Sequence, residues 1–238
     1  MNLSDSLNLG CACKTLDVGQ LRRELERSPG LSGLGTGLLD SHPHLFAETA
    51  VFISADTGDT LARAVAAIER VAALPGYQAH ALANAPASAQ HAFGPRGVFM
   101  GYDFHLGADG PRLIEINTNA GGGMLNAALA RAHRSCCAAM DEALQLGPQA
   151  PDLDATFAAM FRAEWRSQRG DAPWRSVLIV DNAPQAQYLA PEFAMARAWF
   201  RAQGLLAEVA DPAELLWRDG ALWHAALPAS QPVDLVYN

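Results

Sequence analysis

The stretch from Gly97 to Asn119 constrains the fold more tightly than any other part of the chain. Two short alternating runs, Gly97 to Leu106 and Arg112 to Asn117, flank Ala108-Asp109-Gly110, and alternation on both sides of such a turn predicts an antiparallel hairpin. Strand side chains alternate between faces, so Phe99, Gly101, Asp103 and His105 share one face, while Met100, Tyr102, Phe104 and Leu106 share the other. On the second strand, Leu113, Glu115 and Asn117 share a face. The turn decides which of these residues meet. A two-residue turn at Asp109-Gly110 sets Glu115 opposite Phe104 and buries a carboxylate against an aromatic ring, at a cost of roughly several kcal/mol. A three-residue loop, Ala108-Asp109-Gly110 with Gly110 left-handed, sets Asp103 opposite Glu115 and Gly101 opposite Asn117. This second register gathers two carboxylates and a carboxamide on one face. Carboxylates held that close repel unless a cation joins them, and an all-oxygen set suits a hard divalent ion such as Mg²⁺. Hairpin patterning alone is equally consistent with Asp103 and Glu115 as solvated charges on an outward face.

The chain then runs through Asn119-Ala120-Gly121-Gly122-Gly123 into an amphipathic helical pattern from about Met124 to Leu146, stopped by Gly147-Pro148. Free N–H groups and the positive end of the helix dipole make such a loop a natural anion site. Arg96, just before the first strand, is a candidate partner for a phosphate or carboxylate. His105, two residues from Asp103 on the same strand face, is a candidate to support a metal ligand.

Elsewhere the organisation is simpler. Residues Leu31 to Leu39, with Ser41-His42-Pro43-His44, read as a connecting loop, and Thr60 to Leu74 as a helix ended by Pro75-Gly76. Leu153 to Gln168 reads as another helix, and a boundary is expected near Asp171. Beyond it, Ser176 to Asp181 is a continuous apolar strand, Pro191 to Gln203 a helix closed by Gly204, Leu205 to Ala210 a strand, Pro212 to Leu216 a helical turn and Val233 to Tyr237 a strand. Strand, helix, strand with short turns predicts a parallel α/β unit. The expected fold class is therefore α/β, with residues 1–170 holding the hairpin and long helices and residues 171–238 a small parallel domain. Asn182, Gln185 and Gln187 follow the first parallel strand, where open sheets place ligands, and are candidates to touch a substrate. No Gly-x-Gly-x-x-Gly fingerprint is present.

Composition excludes some classes. The formal charge of −8 over 238 residues argues against nucleic-acid binding, which draws on Lys and Arg. No apolar run approaches the ~18 residues of a membrane span, and the N-terminus lacks a positive leader, so a cytoplasmic location without membrane contact is expected. Cys11 with Cys13 and Cys136 with Cys137 lack zinc-ribbon spacing and read as reduced or helical residues. His42 and His44 read as surface residues, and His133 as a mid-helix residue that cannot pair with Ser135, two positions away. Trp165, Trp174, Trp199, Trp217 and Trp223 read as core and boundary aromatics.

Asp103-Phe104, Glu115-Ile116-Asn117-Thr118-Asn119 and the glycine loop together resemble the circularly permuted ATP-grasp ligases, the branch that includes eukaryotic glutathione synthetase and glutathionylspermidine synthetase. In that branch an Asp, a Glu twelve residues on and an Asn two further hold the magnesium ions of ATP. The resemblance implies an ATP-dependent carboxylate-amine ligase working through an acyl phosphate, with Asp103, Glu115 and Asn117 as metal ligands. It implies Asn119 and Gly121, Gly122 and Gly123 around the phosphate or substrate, Mg²⁺ and ATP as cofactors, and a small-molecule acid and amine as partners. The chain departs from the family in its basic residues. Lys14 is its only lysine beside sixteen arginines, whereas family members hold nucleotide phosphates with lysines in their C-terminal half. The expectation is an N-terminal portion of a longer enzyme. Two other readings stay open: a non-catalytic module of the same fold that binds a small molecule or protein, and an unrelated magnesium-dependent phosphotransfer or hydrolytic enzyme.

Overall fold

A computed structural model describes residues 3–10, 16–28, 35–49, 51–132 and 152–238. The chain forms two units, one of Met1–Ala12 with Val51–Asn119, the other of Cys13–Ala50 with Ala120–Asn238. The division falls between Asn119 and Ala120, and Asp171 lies within the second unit. The structure is a mixed α/β one, with an antiparallel hairpin in the first unit and a parallel sheet in the second. No helix among the described residues is long and apolar enough to cross a membrane. Lys14, the four cysteines, His133, Ser135, residues 31–34, the helical pattern beyond Ala132 and the Gly147-Pro148 stop lie outside the described residues.

In the first unit, α1 (Leu3–Gly10) is tied to the segment before α4 (Ala55–Ala72) by Asn8, whose amide both donates to and accepts from the Phe52 backbone at 2.8 and 2.9 Å. Ser54 caps α4 by accepting from the Thr57 N–H, so the helix begins a turn earlier than the apolar spacing indicates. Pro75 does not merely end it but opens α5 (Pro75–Leu82), since a proline without N–H is suited to a first turn. The hairpin pairs β1 (Gly101–Gly107) with β2 (Gly110–Asn117) and packs against α4. The Tyr102 hydroxyl donates to the Glu69 carboxylate of α4, which raises the phenol's pKa.

In the second unit, α2 (Val18–Arg27) buries Leu21 and Leu25 and packs on α3 (Gly35–Ser41) and α6 (Gly123–Ala132). Helix α3 lies where the glycines and serines predict a loop. Burial of Leu38 and the Ser41 hydroxyl donating back to the Gly37 carbonyl at 2.8 Å hold a short helix that propensity alone disfavours. Helix α7 (Leu153–Arg169), capped by Asp152, buries Phe157, Ala158, Phe161 and Trp165, close to the predicted span.

The three-stranded sheet has the order β4 (Leu206–Ala210), β3 (Ser176–Val180), β7 (Leu235–Tyr237), all parallel. Every residue of β3 is buried, as a central parallel strand covered on both faces requires. Leu178 and Val180 pack with Ala210 and Leu227, while α8 (Ala190–Ala202) lies against β3 and β4. Buried Ser176 is fully engaged: its hydroxyl donates to the Pro232 carbonyl and accepts from the Asp234 N–H, fixing β7 beside β3. A second hairpin, β5 (Leu216–Arg218) with β6 (Ala221–Trp223), turns at Asp219-Gly220, both with positive φ, as a type I′ turn demands.

One buried carboxylate joins α8 to α6. Glu192 is 2 % exposed, and its two oxygens accept from the Met124 and Leu125 N–H groups, each at 2.9 Å. These are free donors of a helix's first turn. Burial, only partly offset by those bonds, raises the carboxyl's pKa, so the folded state holds its proton more tightly than the unfolded chain. The stability Glu192 contributes is therefore full below the ordinary carboxylate pKa and declines as pH rises through the elevated folded value. Glu192→Ala strands two buried donors at ~1–3 kcal/mol each, so urea unfolding is expected to report a loss of about 2–6 kcal/mol. Glu192→Gln, uncharged at every pH, is expected to remove this falling component. A wild-type-minus-variant difference that stays flat from acid to neutral pH contradicts the assignment.

Candidate functional site

The hairpin brings Asp103 directly opposite Glu115 and Gly101 opposite Asn117, the pairing that the sequence predicts, but by a different device. Gly110 has the expected positive φ of +98°, yet it pairs with Gly107, so Ala108 and Asp109 alone close the turn. That register by itself is one residue short. A bulge restores it: Phe104 faces Leu113 while Asp103 faces Glu115, leaving Ile114 as the extra residue. The bulge also corrects the predicted faces, because Leu113 now belongs with Phe104 and is not on the Glu115 side. Cross-strand pairing puts Gly101, Asp103 and His105 together with Asn117, Glu115 and Arg112.

This polar face is exposed at Asp103, His105, Glu115 and Asn117. The Asn117 amide Nδ2 donates to Glu115 Oε1 at 3.0 Å, which orients that carboxylate and leaves the carboxamide oxygen as a candidate ligand atom. Arg112 is engaged by Asp109 at 3.2 Å, near the turn. Among the described residues, neither Asp103 nor Glu115 forms an ion pair, so two like charges stand across from one another without a protein cation. Nor do three His, Cys, Asp or Glu side chains gather into a metal-holding group there. A cation on this face therefore has two carboxylates, one carboxamide and outside ligands, a set that fits magnesium with water or phosphate oxygens.

Arg96 is exposed ahead of β1, and a Cβ on neighbouring Gly97 would stand 3.5 Å from the Thr118 carbonyl oxygen. The segment carrying Arg96 thus runs beside the end of β2, close in sequence to Asn117 and to exposed Asn119.

The glycine loop belongs to the second unit, and its composition has structural causes. A side chain on Gly121 would meet Leu189 Cδ1 at 2.7 Å. Gly122 has a φ of +89° and its carbonyl accepts from the Asn126 side chain at 2.9 Å. The N–H groups of Met124 and Leu125, which the sequence offers to an anion, already hold Glu192. Any external anion at the loop is left with the amides of residues 121–123. Nothing in the pattern of residues 120–146 signals this, because the occupying carboxylate lies 68 positions from Met124. The one available sign is a Pro-Glu pair at the start of α8, where an acid also suits its own helix dipole.

Exposed Asn182 and Gln185 follow β3 at the carboxyl edge of the parallel sheet, where the order β4-β3-β7 reverses direction. Ala183 is held left-handed at φ 43°, with its N–H donating to Asp211 Oδ2 at 2.7 Å. The Ala213 and Ala183 N–H groups together hold the Asp211 carboxyl below its ordinary pKa. Asn182 offers its carbonyl to Gln187 Nε2 at 2.8 Å, so Gln187 shapes this loop. His42, from the preceding connection, lies 5.0 Å from the ring of Tyr188.

Because the hairpin carboxylates are exposed and mutually repelling, Asp103→Asn and Glu115→Gln are each expected to leave stability within ~0.5 kcal/mol of the parent, or slightly raised. Chemical denaturation without divalent ions checks this, and a loss above ~1.5 kcal/mol would show that the carboxylates serve the fold. No protein-family model, curated protein or solved structure matches the chain.

Proposed function

We propose that the hairpin face of the first unit is a magnesium-nucleotide site of the permuted ATP-grasp type, and that the protein serves an ATP-dependent carboxylate-amine ligation. The observation that carries the reading is the Asp103 to Glu115 cross-strand pair, two carboxylates opposed without a protein cation and flanked by the Asn117 carboxamide. Opposed like charges on a sheet are unfavourable, and a divalent ion turns that penalty into binding. When bound, magnesium neutralises charge on phosphate oxygens. Asp103 and Glu115 hold it, Asn117 orients Glu115 and adds its oxygen, and Gly101 opposite Asn117 keeps the face open beside that oxygen. Arg96 has the charge to draw a phosphate or substrate carboxylate towards the end of β2.

The occupied N–H groups of Met124 and Leu125 favour the non-catalytic module as the second reading, since they withdraw two donors that a phosphate-cradling loop would use. Mn²⁺ separates the two. Electron paramagnetic resonance titration in the presence of ATP is expected to show Mn²⁺ binding that weakens about tenfold or more in Asp103→Asn and Glu115→Gln, and less in Asn117→Ala. Phosphate release from Mg-ATP with a carboxylate and an amine supplied is expected to fall in the same order. Mn²⁺ affinity that is the same in all four proteins overturns the metal assignment, and intact binding without phosphate release supports the module.

A further inference from the structure

The second unit contains a cavity of about 310 Å³ between α7, α8 and the 170–174 connection. Its walls are aromatic: Phe161 and Trp165 from α7, Trp174 from the connection, and Trp199 and Phe200 from α8. The rings support each other, Trp165 and Trp174 nearly parallel with centroids 6.0 Å apart, and Phe161 edge-on to Phe200 at 4.9 Å. Packing of this kind makes a pre-formed pocket.

Two features distinguish the cavity from a gap in an apolar core. The first is an unsatisfied donor. Trp165 Nε1 donates to the Ala172 carbonyl at 2.8 Å and Trp174 Nε1 to the Ser176 carbonyl at 3.1 Å, but the buried Trp199 Nε1 has no acceptor among the described residues. Buried donors in folded proteins are nearly always paired, and the exceptions call for a cause. The second is charge at the opening. Arg162 and Arg166 both line the cavity and are exposed, and a spacing of four residues puts them on one face of α7. Among the described residues Arg162 reaches only Gln203 Oε1, at a long 3.5 Å. Asp171 is the acidic residue of the lining, so the mouth keeps a net positive charge in a protein of formal charge −8.

We infer that this cavity binds a planar aromatic carboxylate, its ring against the tryptophan and phenylalanine walls and its carboxylate between Arg162 and Arg166. The guanidinium forks match a carboxylate bidentately, and the flat ring gains both apolar burial and ring-ring contact. This site is separate from the hairpin and stands or falls independently of the ligase reading.

The five tryptophans allow a direct test. Titrating the ¹⁵N-labelled chain with 1-naphthoate is expected to move the indole N–H resonances of Trp165, Trp174 and Trp199 and to leave those of Trp217 and Trp223, in the β5-β6 region, unmoved. The neutral isostere 1-naphthalenemethanol is expected to bind about fivefold more weakly, and Arg162→Gln with Arg166→Gln to abolish that preference. Both arginines are exposed, so the variant keeps the fold, which its unchanged Trp217 and Trp223 signals verify. Absence of selective shifts at millimolar naphthoate overturns the site. Equal affinity for the acid and the alcohol overturns the carboxylate class.

Discussion

The second unit depends on a buried carboxylate, Glu192, that no ion pair balances among the described residues. Two N–H groups at the start of α6 point into protein, where an unpaired donor is costly, and Glu192 from α8 meets both. Hydrogen bonds to a charged group contribute ~1.5–3 kcal/mol each, against a desolvation cost of several kcal/mol for the ion, so the arrangement holds only if every oxygen is placed. Placement comes from the sheet. The buried strand β3 seats α8, α8 positions Glu192, and Glu192 sets where α6 begins. Helix α2 then packs on α6 and adds Arg131 to Glu24 at 3.4 Å, on its more exposed side. Tyr237 of β7 feels the same centre: burial and the neighbouring Glu192 carboxylate raise its pKa.

This hierarchy accounts for what could be read from the sequence. Where one force dominates locally, pattern and structure agree: the unbroken apolar run of β3, the stripe of Phe157, Phe161 and Trp165 on α7, the parallel strands that follow. Where the outcome rests on distant partners, the pattern is silent. Helix α3 forms because Leu38 has a core to enter, against the preference of its glycines. The β5-β6 hairpin carries the same Asp-Gly signal as the first, but strands of three residues are too short to show alternation. Glu192 looks like an ordinary first-turn acid until the other helix is in place.

The candidate metal face was legible in residue type and pairing, yet its geometry arises from two compensating irregularities, a turn one residue tighter than predicted and a bulge at Ile114. Either alone would shift the pairing. Together they return Asp103 to Glu115. On the other face Tyr102 bonds Glu69 of α4, while Leu106, Leu113, Ile114 and Ile116 stay exposed.

Exposure sets what such a face can do. In water, unit charges ~4 Å apart interact by only ~1 kcal/mol, so in the proposed site Asp103, Glu115 and Asn117 would select a hard cation without holding it firmly. Firm binding needs a ligand that brings its own oxygens and excludes solvent, as a polyphosphate does. The site proposed in the aromatic cavity of the second unit would work the other way round, with its apolar walls supplying affinity and Arg162 and Arg166 supplying choice. The two proposed sites thus rest on opposite physics. On the hairpin, charge is abundant and burial is missing, so recognition waits on what the ligand brings. In the proposed cavity site burial is already built, so recognition would be decided by what the protein has prepared.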